Sequence, residues 1–268
     1  MEWTPCPLCG ADEGKKLHQE GDYIMDRCER CGFVYQNPRP SVQELWSSYQ
    51  NYLPVGEEEI EVWGMTMESV FRKGAELIER YIPRGKILDV GAGYGFFLAL
   101  MKARGWEVMG LEVSPIGARF GQERWGLTIL PIPWEKSSFK EGEFDVVTAF
   151  YVIEHLPDPL AFLRGVYRIL RPGGMILLRY PHTTPIKDIL SLLRIKNRLY
   201  HLPFHLCDFS PATMRRALEQ AGFKRIKTLI GGFTNPPDLA GRLAGLIFGN
   251  LAEILYQLSW GKILLPGV

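Results

Sequence analysis

Asp89 closes an apolar run, Ile87-Leu88-Asp89-Val90, and is followed by glycines at alternate positions, Gly91, Gly93 and Gly95, with Ala92 and Tyr94 between them. A carboxylate in that place attracts ammonium, sulfonium or hydroxyl donors, and it would repel a pyrophosphate. The glycines remove side chains that would hold the backbone away from a ligand lying across the strand end. Glu112, 17 residues beyond Gly95, offers a second carboxylate suited to both hydroxyls of a ribose. An acid there also serves dinucleotide enzymes. Discrimination therefore rests on Asp89 and on G-x-G-x-G spacing in place of G-x-G-x-x-G. A nucleoside carrying cationic groups meets these demands.

A separate chemistry is written at the N-terminus. Cys6-Pro-Leu-Cys9 and Cys28-Glu-Arg-Cys31 are two C-x-x-C pairs separated by 18 residues, each followed by glycine (Gly10, Gly32). This spacing matches a tetrahedral four-thiolate zinc site, in which the glycine turns the chain so that amides point at the sulfurs. Such a site is closed, so its zinc is expected to be structural. Cys207 is unpaired and reads as a small buried hydrophobe.

The elements that must position these residues follow from periodicity. Residues 1–40 read as a zinc ribbon with a strand near 32–35. Residues 41–82 read as a linker and a helix from about 65 to 81. Strands then alternate with helices, as a parallel sheet requires. Strands are expected at 86–90, 107–111, 128–130, 144–149, 175–179, 226–230 and 262–265. Helices are expected at 96–104, 116–125, 159–170 and from 210 to about 222. Two apolar helical stretches, 183–205 and 238–259, interrupt the alternation within a domain spanning 83–268.

Together these motifs resemble class I S-adenosylmethionine-dependent methyltransferases. Asp89-Val90-Gly91-Ala92-Gly93-Tyr94-Gly95, Glu112, Phe144-Asp145-Val146-Val147, Glu154-His155-Leu156-Pro157-Asp158-Pro159 and Leu170-Arg171-Pro172-Gly173-Gly174 occur in that family's order and spacing. The ribbon with Asn37-Pro38-Arg39-Pro40 and Tyr49-Gln50-Asn51-Tyr52 is similar to the zinc-containing branch that includes sugar C-methyltransferases. The resemblance implies an α/β fold, a Rossmann-like sheet of seven strands with an antiparallel last strand, preceded by the zinc ribbon and carrying helical insertions. It implies S-adenosylmethionine held by Asp89, Gly91, Ala92, Gly93, Gly95 and Glu112, with Phe150 lining the methionine and ribose side. Where the family often has an Asp and a small residue near adenine, this chain has Pro133-Trp134, so Trp134 would supply that contact by its ring or amide. His155, after the fourth strand, is the first candidate base, and His205 and His201 are secondary candidates near the acceptor.

Composition adds limits. A hydrophobic content of 46% and a charged content of 23% are ordinary for a globular chain. No apolar run approaches the roughly 20 residues of a membrane-spanning helix, and no leader is evident, so a cytoplasmic location is expected. Residues 161–230 carry 13 Lys/Arg against Asp188, Asp208 and Glu219, a balance of +10, whereas residues 1–160 carry 16 against 25 acids. With the amphipathic insertions, this basic segment suggests an anionic or lipid-linked small-molecule acceptor, a sugar among the candidates, and a membrane-facing surface. An RNA methyltransferase reading is weakened by the ribbon, where five Lys/Arg face seven acids. A cofactor-binding scaffold without catalysis is the other alternative. Oligomeric state is not encoded in any of these features.

Overall fold

The computed structural model describes residues 1–50 and 52–231, with Thr234 and Leu258. Its N-terminal sheet begins as a hairpin, β1 (Gly14–Glu20) and β2 (Tyr23–Cys28), turned through Gly21 at a φ of 61°. β3 (Val34–Gln36) then pairs antiparallel with β2. The hairpin is absent from the sequence reading because β1, Gly-Lys-Lys-Leu-His-Gln-Glu, is mostly polar and only half-buried.

α1 (Val42–Tyr49) was also unexpected, although its signal was present. Ser41 accepts from the Glu44 amide while its own amide donates to the Glu44 carboxylate at 2.8 Å, a reciprocal cap. α2 (Glu57–Tyr81) begins before the expected residue 65. Its first turn holds Glu57, Glu58 and Glu59, whose negative charge suits the positive end of the helix.

The alternating core follows as β4 (Lys86–Val90), α3 (Phe96–Ala103), β5 (Glu107–Leu111), α4 (Pro115–Trp125), β6 (Ile129–Leu130), β7 (Phe144–Phe150), α5 (Pro159–Ile169) and β8 (Leu170–Arg179). The sheet order is β6-β5-β4-β7-β8, with every pair parallel. The chain winds outward from β4 to β6, then returns to the other side of β4 at β7. That reversal opens a crevice at the carboxyl ends of β4 and its neighbours. Adjacent residues Ile87 and Leu88 are both fully buried, because helices and loops cover both faces of the sheet. Phe71, Ile78 and Phe97 pack on one side, and Phe162, Val166 and Met214 pack on the other.

Beyond β8 come α6 (Thr184–Leu192), β9 (Cys207–Asp208) and α7 (Pro211–Gln220). β9 pairs antiparallel with β3, Tyr35 opposite Cys207, so the ribbon sheet takes its fourth strand from the far end of the first insertion. The Asp208 carboxylate accepts from the Thr183 and Thr184 amides at 2.7 and 2.9 Å, which anchors the start of α6 to that strand. Five strands of the parallel sheet are described, against the seven expected. Residues 226–230 form no strand. The strand expected at 262–265 and the insertion at 238–259, Leu258 apart, lie outside the described residues.

Candidate active site

The crevice holds a cavity of about 370 Å³. Its lining includes Asp89, Gly91, Ala92, Gly93 and Glu112, carried by the ends of β4 and β5 and the turn between β4 and α3. Gly91 and Gly93 have φ values of 74° and 54°, the left-handed region that favours glycine. A Cβ on Gly91 would stand 2.3 Å from Val152 Cγ2, so the turn is also sterically closed to any side chain.

The two acids are held differently. Glu112 accepts from the Gly93 amide at 2.7 Å and the Ser114 amide at 2.8 Å, which clamps the glycine turn to the end of β5. Its pKa is nevertheless raised, because burial outweighs those hydrogen bonds. Asp89 accepts from Thr148 Oγ1 at 2.6 Å, and burial pushes its carboxyl up to about 7. Glu112 contributes to that rise by like-charge repulsion. A cationic ligand group would relieve both costs. The turn is bare where a nucleoside would lie, and the acids retain acceptor capacity for an ammonium and for ribose hydroxyls. The residues therefore fit S-adenosylmethionine.

Phe150 and Trp134 also line the cavity. Phe150 packs between Phe71 and Phe97 at ring separations of 5.3 and 4.7 Å. Trp134 stands edge-on to Phe162 at 5.0 Å beneath Gly165 of α5, whose absent Cβ leaves room for the indole. Gly95 does not line the cavity. It faces Leu127 and Ile129, where a Cβ would stand 2.6 and 3.1 Å from their Cδ1 atoms, so it serves the packing of α3.

Glu154, His155 and His205 form a second polar group on the cavity lining. His155 Nδ1 meets the Phe204 carbonyl at 3.0 Å, and the His155 and His205 rings stand edge-to-face at 4.7 Å. Burial pulls their pKa values down to about 4 and about 3 respectively. Glu154 is 1% exposed, and neither of its carboxylate oxygens has a hydrogen-bond partner. Burial pushes its pKa up to about 8. His201 is not in the lining but at its edge, stacked on His205 at 5.2 Å and 3.5 Å from the Tyr52 hydroxyl. Elsewhere the wall is largely apolar and aromatic, with Leu45, Tyr49, Tyr52, Trp63 and Phe71 prominent. Tyr49 donates to the Phe204 carbonyl at 2.8 Å and so fixes the loop that presents His205.

The Glu154-His155 pair was legible in the sequence as a motif, although only His155 was named as a candidate base. Tyr151 stands at the start of the same motif. It lines the cavity with a φ of 57°, a strained conformation for which the sequence carries no signal.

The four N-terminal cysteines converge away from this cavity. Cys6 and Cys31 sulfurs are 3.6 Å apart, as are those of Cys9 and Cys28, and all four lie within 4.8 Å of one another. An ion with metal–sulfur bonds of about 2.3 Å separates its tetrahedral ligands by roughly 3.8 Å, so the cluster fits zinc. Gly10 and Gly32 take φ values of 71° and 75°, as the knuckle geometry requires. Cys207 is buried and outside the cluster.

Residues 66–228 match the methyltransferase-domain family. The chain belongs to that family. It is 30% identical over 161 residues to the ubiquinone biosynthesis O-methyltransferase of Pseudomonas aeruginosa, covering 56% of this chain and 69% of that protein. The enzyme of that name from Acinetobacter baylyi is 28% identical over 162 residues, with 56% and 68% covered. Among solved structures, the 1,6-didemethyltoxoflavin-N1-methyltransferase of Burkholderia thailandensis, bound to its substrate and S-adenosylhomocysteine, superposes with a TM-score of 0.53 at 17% identity, over 82% of this chain and 95% of that one. A possible histamine N-methyltransferase of Thermotoga maritima gives 0.51 at 19% identity, over 68% and 82%. These two likenesses establish the fold alone. The family establishes an S-adenosylmethionine-dependent methyltransferase.

Proposed function

We propose that the enzyme methylates a hydroxyl oxygen on a small, planar, largely apolar acceptor. The observation that carries this reading is one cavity lined by two unlike polar groups, the acids with their bare turn and the trio Glu154, His155 and His205. The name of the Pseudomonas aeruginosa relative supports oxygen as the methylated atom. The rest of the wall favours an aromatic ring. A sugar would turn its hydroxyls toward Leu45, Tyr52 and Phe71, where most would lose water without gaining a partner.

S-adenosylmethionine supplies a methyl carbon on a sulfonium, and its transfer forms the acceptor's O–C bond, breaks the S–C bond and leaves neutral S-adenosylhomocysteine. Asp89 holds the ammonium and Glu112 the ribose, while Gly91 and Gly93 let the backbone approach. Phe150 and Trp134 fill the flanks and exclude water. Tyr49 and Tyr52 face the acceptor ring. Glu154, His155 and His205 receive the reacting hydroxyl and must accommodate its proton, with His201 completing the rim. In this reading the four cysteines bind a structural zinc, which keeps residues 1–40 folded against the cavity.

The end of α6 and the turn after it favour contact with a membrane surface. Ile189, Leu192, Leu193 and Ile195 are exposed, Leu192 at 85%, and Arg194, Lys196 and Arg198 are interleaved with them. An apolar tip flanked by bases suits an anionic bilayer. No helix among the described residues is long and apolar enough to cross a membrane. Sedimentation with vesicles of anionic lipid should retain the wild type and release Leu192→Glu. Equal retention would remove this part of the reading.

The decisive test uses S-adenosylmethionine labelled in its methyl group with a panel of phenols and catechols. Labelled methyl ether is the expected product. Tight cofactor binding with no transfer to any hydroxyl acceptor would leave only a binding scaffold, and label found on nitrogen or carbon would correct the atom.

A further inference from the structure

We infer that Glu154, His155 and His205 form a second metal site, for a divalent transition cation, on the lining of the cavity. Each residue can offer one ligand atom, and these atoms lie within 4.8 Å of one another. Both Glu154 oxygens are buried without a partner, a costly arrangement unless something fills it. His155 supplies the supporting hydrogen bond that metal-binding imidazoles usually make. Its Nδ1–H donates to the Phe204 carbonyl at 3.0 Å, which leaves the Nε2 lone pair free to bind an ion.

The donor set selects the cation. Two imidazoles and one carboxylate suit zinc, manganese, iron or cobalt better than magnesium or calcium, which prefer oxygen ligands. Three protein ligands also leave positions open, as in catalytic and not structural sites. The open side faces the cavity, where an acceptor oxygen could complete the coordination. Burial keeps both imidazoles neutral over the physiological range, so they are weak bases while their lone pairs stay available. Asp208 lies close enough behind Glu154 to add negative potential.

The inference rests on the proposed methyl transfer only for what occupies the open positions. The ion itself can be tested without cofactor or acceptor. The full chain, purified with zinc in its cysteine cluster, is titrated with Co²⁺ alone and followed by visible absorption and by metal content after desalting. One Co²⁺ beyond the cluster metal is expected, with a nitrogen–oxygen spectrum and no thiolate charge-transfer band. His205→Ala and Glu154→Gln should each weaken it by more than the roughly 10–100-fold that follows loss of a residue merely supporting a ligand. Affinity for S-adenosylhomocysteine, measured on the same samples, should be unchanged and shows that the variants are folded. His205→Gln replaces any variant that fails this check. No additional Co²⁺, a charge-transfer band marking exchange into the cysteines, or equal binding by the variants would each overturn the site. Failure of methyl transfer with Co²⁺ still bound would instead refute the hydroxyl-acceptor reading.

Discussion

Replacing Glu154 with Gln should stabilise the ligand-free protein while removing its activity. The carboxyl is buried, its oxygens lack partners, and its pKa rises from 4.5 to about 8. The linkage runs opposite to that of a salt-bridged acid. Below pH 4.5 the group is protonated in both states and costs nothing by titration. As pH rises from 4.5 to 8 the unfolded chain releases the proton and the folded chain keeps it, so stability falls throughout that window. At pH 7 the loss is about 2.5 units of pH, or about 3 kcal/mol. At pH 5 it is under about 1 kcal/mol by the same arithmetic. Gln has nearly the same shape, keeps a polar head and carries no proton to lose. The variant should therefore melt roughly 6–12 °C above the wild type at pH 7, and only slightly above it at pH 5.

The measurement is thermal unfolding of both proteins from pH 5 to 8 in metal-free buffer, since a bound cation would offset the penalty in the wild type alone. Methyl transfer by the variant should be lost in the same preparations. A gain that is equal at all pH values would mean improved packing and not titration. No gain at pH 7 would refute the account of Glu154 as a buried, unpartnered acid. His155 and His205 contribute with the opposite sign. Their folded pKa values lie below 6.5, so their contribution is present above 6.5 and lost as pH falls toward about 4 and about 3.

Asp89 must be ionised to hold an ammonium, and it sits near a pKa of about 7 without ligand, so calorimetry should show cofactor affinity falling as pH drops below 7, by up to about tenfold per unit; a profile that persists in Asp89→Asn would assign the titration elsewhere. Gly91→Ala should abolish cofactor binding and lower stability by about 1–3 kcal/mol, because it combines a positive φ with a Cβ 2.3 Å from Val152; retained affinity in the folded variant would show that the turn can relax. Cys28→Ser should lower bound zinc by about one per chain by elemental analysis, and unchanged zinc would place the metal outside the four cysteines.

The grouping of the two acids with the glycine turn was legible in the sequence because it is local. Asp89, Gly91, Ala92 and Gly93 occupy one strand end and turn, and Glu112 is placed by the register of the next strand, in which Asp89 lies opposite Gly110. The cysteine pairs were legible for the same reason, since spacing alone brings the sulfurs together. Gly95 shows the limit of that logic. It shares the motif's spacing, but its position against Leu127 and Ile129 depends on α4 and β6. The trio of Glu154, His155 and His205 was only partly visible. Glu154 gains its orphaned state from burial beneath residues far along the chain, and His205 reaches His155 through a 183–205 excursion whose path follows tertiary contacts. The hairpin of β1 and β2 went unseen because polar, half-exposed strands lack the alternation on which a sequence reading depends.

The ribbon and the trio of Glu154, His155 and His205 form one mechanical unit. The Gln36 amide donates to the Leu206 carbonyl at 2.8 Å, and the Leu206 amide donates to the Glu154 carbonyl at 2.7 Å. Backbone hydrogen bonds thus run from β3, in the sheet that holds the cysteine cluster, through the strand that follows His205, to the turn that carries Glu154 and His155. Lys187 of α6 is paired with Glu20 of β1, and His18 meets Asp188 at 2.9 Å, so the segment leading to His201 and His205 is tied to the ribbon as well. Asp89 and Glu112 have no such dependence, since β4, β5 and β7 support them directly. Loss of the metal proposed for the four cysteines should for that reason disturb acceptor turnover far more than cofactor affinity. This separation gives the N-terminal sheet a role in positioning that its distance from the glycine turn would not suggest.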